Sequence, residues 1–198
     1  MILLGLAGVA GCGKSAVARH LRMAYGFQEF SFAEPLKRGV AEMFGLSDAQ
    51  VNGSFEEKEA PDPFWGVSGR ELLQVVGTEI MRVELPRHLP VLGCKGSIWV
   101  RHMERRIRDL PAAARVVISD VRFADEVLFI QRLGGEVWNI DRPGLERRAA
   151  HAHSSENLWY AGALGPDRIL PNTGTLGDLC TRVDEAICAA QMKKGPPA

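Results

Sequence analysis

The stretch Gly8-Val-Ala-Gly-Cys-Gly-Lys-Ser15 matches the pattern G-x-x-x-x-G-K-[ST] of a phosphate-binding loop. The apolar run Ile2–Ala7 before it predicts a buried strand, and the apolar spacing of Lys14–Tyr25 after it predicts a helix. Glycines let such a loop turn its N–H groups towards phosphate oxygens, and the helix N-terminus adds partial positive charge. Strand, loop and helix in this order therefore predict a site for the phosphates of a nucleotide.

The residues of this loop have separate predicted roles in binding ATP and Mg²⁺. Lys14 is expected to reach the β- and γ-phosphates, and Ser15 is expected to offer its hydroxyl to Mg²⁺. Cys12 is interpreted as a small filler whose backbone binds phosphate, with a reactive thiol as the alternative. The predicted ATP-binding residues of the loop are Gly11, Cys12, Gly13, Lys14, Ser15 and Ala16. The alternative for the whole stretch is a glycine-rich turn with an incidental lysine.

The composition is that of an ordinary soluble globular domain. The chain has 198 residues, of which 46% are hydrophobic and 24% charged, and this length predicts one domain. Lys plus Arg and Asp plus Glu each number 24, so the net charge is zero and a dedicated nucleic-acid-binding protein is disfavoured. Eighteen of the 24 basic residues are Arg, whose planar fork matches phosphate. The four cysteines form no C-x-x-C pair, which indicates reduced thiols and a cytoplasmic protein. No apolar stretch approaches the roughly 20 residues of a membrane span, so no membrane partner is expected.

Predicted strands and helices alternate along the chain. Strands are expected at residues 2–7, 27–32, 115–119, 136–140 and 168–170. Helices are expected at residues 14–25, 34–44, 68–85, 97–110, 123–133 and 176–192, with Ser68 and Glu71 as a capping box. Residues 53–66 and 86–96 are expected to be loops or a flap. The alternation predicts the α/β fold of a P-loop NTPase, a five-stranded parallel sheet with helices on both faces.

Asp120 follows the apolar strand predicted at residues 115–119, as the acidic residue of a Walker B element does. A carboxylate there can hold Mg²⁺ through water or accept a proton from an attacking phosphate. The alternative is that Asp120 caps the helix predicted at residues 123–133.

The basic residues favour a small-molecule kinase among the P-loop proteins. No Asn-Lys-x-Asp guanine motif is present, and little of the chain is left for an effector domain. Such a kinase must hold two anionic substrates and exclude water, so it needs cations from several segments and a lid. The cations at segment ends are Lys37, Arg70, Arg122, Arg142, Arg147 and Arg148. The arginine-rich residues 101–108 are interpreted as a solvated helix face.

The chain resembles the deoxynucleoside monophosphate kinases of tailed bacteriophages in stretches that cover most of its length. Besides the phosphate loop, these are Ala33-Glu-Pro-Leu-Lys37, Gly69-Arg-Glu-Leu-Leu-Gln-Val-Val-Gly-Thr-Glu79, Ile98-Trp-Val100, Ser119-Asp-Val-Arg122 with Asp125-Glu126, Gly134-Gly-Glu-Val137 with Arg142-Pro-Gly144, His153-x-Ser155-Glu156 and Asn172-x-Gly-Thr-Leu176. The resemblance implies transfer of the γ-phosphate of ATP to a deoxynucleoside 5′-monophosphate. It implies one kinase domain over residues 1–198, with core segments 1–32, 112–141 and 165–192. It also implies a monophosphate-binding region at about 33–110 and a lid at about 142–157.

The resemblance also suggests which residues line the monophosphate pocket, and several of these have structural alternatives. The suggested residues are Lys37, Arg70, Gly77, Thr78, Trp99, Arg122 and Asp125, with Gln74 as a weaker candidate for reading the base. Trp99 could equally belong to the core, Gly77 could serve helix packing, and Thr78 could cap within its helix. Lys14, Asp120, Arg122 and Arg142 are the expected catalytic residues.

The segment after the last predicted strand is expected to hold the adenine of ATP. Asn172 and Gly174 are the candidates, and a strand-to-helix turn with Thr175 as helix N-cap is compatible with that role. His151 and His153 form H-x-H, for which a lid hinge is favoured over a metal site. The resemblance further hints at a homodimer.

Two other functions stay open at the level of sequence. The first is another small-molecule P-loop kinase, of the dephospho-coenzyme A or shikimate type. The second is a nucleotide-binding subunit whose ATP hydrolysis serves a partner.

Overall fold

The computed structural model describes residues 1–93, 96–145 and 165–193. The strands in these ranges are β1 (Ile2–Ala7), β2 (Gln28–Phe30), β3 (Arg115–Val121), β4 (Glu136–Asp141) and β5 (Arg168–Pro171). The helices in the same ranges are α1 (Lys14–Tyr25), α2 (Glu34–Phe44), α3 (Asp48–Asn52), α4 (Phe55–Glu59), α5 (Gly69–Gln74), α6 (Leu85–His88), α7 (Ile98–Arg108), α8 (Ala124–Arg132) and α9 (Leu176–Lys193). A π-helical segment, Val75–Glu84, joins α5 to α6.

The strands form one parallel sheet in the order β2-β3-β1-β4-β5. The prediction of a parallel sheet with helices on both faces is therefore confirmed. β1 lies at its centre, where Ala7 pairs with Val121 of β3 on one side and Asn139 of β4 on the other. Because the carboxyl ends of parallel strands meet at one edge, the segments that follow β1, β3, β4 and β5 meet there as well.

Alternate residues of β1 face two helical layers. Leu4 and Leu6 pack into a core with Leu21 of α1 and Val183 of α9. Gly5 faces the other layer, where a Cβ atom would lie 2.6 Å from Cδ1 of Ile130 in α8. Burying a leucine in such a core contributes about 1.5–3 kcal/mol, so the two layers together fix the position of β1 and of the loop that follows it.

The chain divides into two compact units. One comprises Met1–Ser31 and Leu110–Ala198, and the other comprises Phe32–Asp109. The second unit corresponds closely to the segment that the sequence predicts to bind the monophosphate. Its core contains Val40, Leu46 and Val51, against which the partly buried Leu72 and Val76 pack. That this unit binds the acceptor remains a prediction.

Short capped helices replace part of the expected loops. The loop prediction for residues 53–66 is wrong for α4, and that for residues 86–96 is wrong for the end of α6 and the 3₁₀ turn Pro90–Leu92. Ser54 and Glu57 form a reciprocal capping box at α4, just as Ser47 and Gln50 do at α3. Helices of five residues show too little periodicity to be recognised, although the S-x-x-E and S-x-x-Q spacings mark their starts.

The long helix expected at residues 68–85 is present but irregular. Its predicted capping box is confirmed, because Ser68 Oγ accepts from Glu71 N while Glu71 Oε2 accepts from Ser68 N at 2.8 Å. The backbone N–H and the hydroxyl of Ser68 both donate to the Glu71 carboxylate, and these two bonds hold its pKa below the usual value. The segment Val75–Glu84 then widens into a π-helix, which ends where Leu85 N donates to Ile80 O. No helix in the described ranges is both long enough and apolar enough to cross a membrane.

A polar contact joins α1 to α9 in the first unit. Asp184 Oδ1 accepts from the Tyr25 hydroxyl at 2.8 Å and lies 2.6 Å from His20 Nε2. The hydrogen bond from His20 lowers the pKa of Asp184. The hydrogen bond to Asp184 and burial raise the pKa of Tyr25 from 10.0 to about 12. The folded state therefore favours the neutral phenol beside an ionised carboxylate.

We expect Asp184→Asn to shift the pKa of Tyr25 back towards 10.0, because the charged acceptor of the phenol hydrogen bond is replaced by a neutral and weaker one. A phenol with a raised pKa stabilises the fold below the unfolded pKa of 10.0, and this contribution is lost as the pH rises towards 12. Phenolate absorbance measured against pH checks the shift. Tyr25→Phe identifies the signal, since the chain has two tyrosines. A Tyr25 titration that is unchanged in Asp184→Asn would contradict the assignment.

Candidate active site

The phosphate loop connects β1 to α1 through residues that require glycine. Gly8 has φ +125° and Gly13 has φ +116°, in the left-handed region that other residues rarely adopt. A Cβ at Gly8 would also lie 2.5 Å from the carbonyl oxygen of Ile140 in β4. The loop therefore leaves β1 closely pressed against the end of the neighbouring strand.

Lys14 turns its ammonium group back into this loop. Its Nζ donates to the carbonyl oxygens of Gly8 at 2.6 Å and Val9 at 2.8 Å. Cys12 is fully buried, in agreement with its interpretation as a small filler, and its Sγ lies 3.7 Å from Nζ. Ser15, in the first turn of α1, is exposed. An anionic phosphate oxygen is a stronger partner for an ammonium group than a neutral carbonyl oxygen is. A phosphate bound in the loop could therefore replace these carbonyl oxygens as the partner of Lys14.

Asp120 lies inside β3, one residue before the Val121 that pairs with Ala7 at the end of β1. The strand therefore continues past its predicted end at Ser119. The alternative that Asp120 caps the next helix is wrong, because Phe123 holds the N-cap position of α8. The hydroxyl of Ser31 donates to Asp120 Oδ2 at 2.7 Å.

The oxygen ligands available near the loop suit Mg²⁺. A hydroxyl from Ser15 and a carboxylate from Asp120 are hard donors of the kind that Mg²⁺ prefers, with water completing its shell. Across the described part of the chain, no group of three or more His, Cys, Asp or Glu side chains is arranged to hold a metal ion. One hydroxyl and one carboxylate are the kind of ligand set that holds Mg²⁺ when it also contacts phosphates.

Glu126 fixes the chain around Arg122, a role that the sequence analysis missed. Its Oε2 accepts from the backbone N–H groups of Arg122 at 2.8 Å and Phe123 at 3.1 Å. Glu126 is only 2% exposed, whereas Arg122 is exposed and Asp125 half-buried. A glutamate at the third position of a helix is the local signal that could have identified it.

The segments after β4 and β5 contact the loop backbone. Arg142 Nη1 lies 3.4 Å from Gly11 O, and Asn172 Nδ2 donates to Cys12 O at 2.8 Å. Thr175 and Asp178 cap each other's backbone N–H groups, which confirms the expected helix start after Gly174. The first unit thus brings Arg142 and Asn172 to the phosphate loop.

Some predicted residues of the lid lie outside the described residues. These are Arg147, Arg148, His151 and His153, with most of the segment predicted at 142–157.

In the second unit, the two predicted cations contact side chains of α3 and α4. Lys37 Nζ donates to Asn52 Oδ1 at 3.0 Å. Arg70 Nε lies 3.2 Å from Glu59 Oε1, and its guanidinium lies 5.6 Å from the centre of the Phe55 ring. The segment from α3 to α4 therefore supplies oxygen partners to both cations within this unit.

Gly77 and Trp99 serve packing in the second unit, which is the alternative that the sequence left open for both. Trp99 is 8% exposed, and its Nε1 donates to Gly77 O at 3.1 Å. A Cβ at Gly77 would lie 2.5 Å from Leu36 Cδ2, so the missing side chain allows α2 to approach. Gln74 and Thr78 are half-buried on the same helical stretch.

One relative and two solved structures are similar to the chain over nearly its whole length. The chain is 44% identical over 197 residues, 97% of its length, to the whole of a protein from Acanthamoeba polyphaga mimivirus that carries the provisional name deoxynucleotide monophosphate kinase. Its fold is similar to that of dephospho-CoA kinase from Campylobacter jejuni, with TM-score 0.52, 16% identity and 98% of both chains covered. It is also similar to a Thermus thermophilus protein, with TM-score 0.50, 23% identity and coverage of 95% and 96%. No family model matches the chain.

We expect Glu126→Ala to lower the free energy of unfolding by about 1.5–3 kcal/mol, because the backbone N–H groups of Arg122 and Phe123 lose a charged acceptor. Chemical denaturation followed by circular dichroism measures the change. Glu185→Ala, which removes an exposed glutamate of α9, is the matched control. Equal stabilities of the two variants would show that the capping contact contributes nothing.

Proposed function

The chain belongs to the family of deoxynucleotide monophosphate kinases, and we propose that it transfers the γ-phosphate of ATP to a deoxynucleoside 5′-monophosphate. The products would be the deoxynucleoside diphosphate and ADP. The observation that carries the proposal is the glycine loop with Lys14 inside it, at the carboxyl end of the central strand. Identity of 44% over 97% of the chain supports the choice of acceptor.

The proposed reaction needs no covalent enzyme intermediate. An oxygen of the acceptor phosphate attacks the γ-phosphorus in line and forms the new P–O bond. The bond from the γ-phosphorus to the bridging oxygen breaks, and ADP leaves with the electron pair. Lys14 and the loop N–H groups stabilise the negative charge on the transferred group, while Arg142 is proposed to contribute from beside Gly11.

Two residues are proposed to hold Mg²⁺, Ser15 through its hydroxyl and Asp120 through water. When bound, Mg²⁺ would neutralise charge on the phosphates of ATP. Asp120 already orients one carboxylate oxygen towards the hydroxyl of Ser31.

The proposed acceptor residues of the second unit are Lys37, Arg70, Gln74 and Thr78. Arg70 is suited to bind a phosphate through two parallel hydrogen bonds, since its guanidinium is a planar fork. Its present partner Glu59 would have to be exchanged for the phosphate. In the first unit, Arg122 and Asp125 are the proposed acceptor residues at the start of α8.

The finer resemblance to bacteriophage enzymes supports two further proposals. We propose that the protein acts on free nucleotides in a cytoplasm, that of the host if a phage encodes it. The same resemblance supports a homodimer. The likeness to dephospho-CoA kinase, at 16% identity, concerns the fold alone and does not favour that substrate.

A panel of acceptors tests the proposed function. We expect ADP release with at least one of dAMP, dGMP, dCMP and dTMP, and none with dephospho-coenzyme A or shikimate. Lys14→Ala should lower turnover roughly 10²–10³-fold, because it removes charge stabilisation in the transition state. Arg19→Ala, an exposed position on the same helix, is the control and should leave turnover unchanged.

Two outcomes would contradict the proposal. Near-normal turnover of Lys14→Ala would remove the loop from the reaction. ATP hydrolysis that needs no acceptor and rises with a protein or DNA partner would instead indicate a nucleotide-binding subunit.

We expect Arg122→Ala to raise the KM for the monophosphate roughly 10–100-fold with little change in the KM for ATP, since one charge-assisted pair is worth about 1.5–3 kcal/mol. Steady-state kinetics with each substrate varied in turn measure both constants. Arg132→Ala, exposed at the other end of α8, is the control. A rise confined to the KM for ATP would place Arg122 at the nucleotide instead.

A further inference from the structure

Asn172 binds the backbone of the phosphate loop across a large separation in sequence. Its amide nitrogen Nδ2 lies 2.8 Å from the carbonyl oxygen of Cys12. A carbonyl oxygen only accepts hydrogen bonds, so the atom facing it must be the amide nitrogen and not Oδ1. The donor in this contact is therefore fixed by chemistry.

The backbone around Asn172 is held in place on both sides. Asn172 N donates to Asp141 O at 2.6 Å, which ties the residue to the end of β4. Arg182 Nη1 donates to Pro171 O at 2.5 Å, and the capped start of α9 follows three residues later. The side-chain amide is therefore presented to the loop from a rigid support.

The contact determines the direction of one peptide group of the loop. In a trans peptide the C=O and the following N–H point to opposite sides. Since Cys12 O points to Asn172, the N–H of Gly13 points away from Asn172. A Cβ at Gly13 would lie 2.8 Å from Asn172 Nδ2, so a side chain at this position would displace the amide from the loop.

We propose that Asn172 is a positioning residue that orients the Cys12–Gly13 peptide, so that the Gly13 N–H is directed at the phosphates of the bound nucleotide. This inference rests on the proposed function. It differs from the expectation that Asn172 holds the adenine, because a residue that acts through the loop supports phosphate binding whatever base is attached. Asn172 does not touch the nucleotide in this role. The polyphosphate is bound by the Gly13 N–H, which Asn172 orients through the Cys12 carbonyl.

Binding of ATP and of inorganic tripolyphosphate, which has no base, separates the two roles. We expect Asn172→Ala to weaken both ligands by the same factor, roughly 10-fold for one hydrogen bond worth about 1–1.5 kcal/mol. Asn172→Asp keeps the size of the side chain but loses the donor, and it should weaken both ligands at least as much. Thr173→Ala removes an exposed side chain from the same turn and is the control.

The Gly13 amide provides a readout that general destabilisation would not move. Tripolyphosphate should shift the Gly13 amide resonance strongly in the wild-type chain and in Thr173→Ala, and less in both Asn172 variants at saturating ligand. The KM for the acceptor should stay unchanged. Thermal unfolding establishes that each variant is folded, and Asn172→Asp replaces Asn172→Ala if the latter does not fold.

Three outcomes would overturn the inference or its basis. Loss of ATP affinity with full tripolyphosphate affinity would make Asn172 an adenine contact. Equal binding by wild type and both Asn172 variants would overturn the positioning role alone. A wild-type chain that binds tripolyphosphate but phosphorylates no deoxynucleoside monophosphate would contradict the proposed function and leave the role of Asn172 in phosphate binding intact.

Discussion

The left-handed backbone of the phosphate loop is the constraint on which the rest of the site depends. Gly8 and Gly13 adopt φ values of +125° and +116°, and each is closely approached from a neighbouring segment, by Ile140 O and by Asn172 Nδ2 respectively. The ends of β4 and β5 therefore form the outer wall of the loop. The N–H groups of a loop can point towards a bound phosphate only when the carbonyl groups on its outer side have room or a partner. The ends of the neighbouring strands provide this, so the loop geometry depends on the sheet as well as on the glycine motif.

Three of the candidate cations contact oxygen atoms of nearby backbone or side chains. Lys14 is bonded to two carbonyl oxygens of its own loop, and Lys37 to the amide oxygen of Asn52. Arg70 has the strongest competitor, the carboxylate of Glu59. Neutral oxygens hold an extended side chain in place and are readily exchanged for a phosphate oxygen, whereas a carboxylate opposes the exchange.

The sequence predicted elements whose signal is local. β1, α1 and α2 have the bounds that periodicity and glycine positions indicate, and the capping box of Ser68 and Glu71 is present as its spacing predicts. Elements of about five residues were missed, because α3 and α4 contain barely more than one helical turn. The end of β3 was misplaced for a different reason. Asp120 is polar, and only the pairing of Val121 with Ala7 shows that the strand continues through it.

By itself, the sequence determined the α/β class and the phosphate loop, because strand alternation, helical period and glycine spacing act between near neighbours in the chain. Only the tertiary structure decided what the distant residues do. Asn172 meets Cys12 across 160 residues and Trp99 meets Gly77 across 22, and no local pattern encodes either contact. A side-chain amide or an indole can donate a hydrogen bond either to a ligand or to the protein backbone, and a glycine can allow either to approach closely. Which one it contacts depends on the packing of strands and helices that lie far apart in sequence.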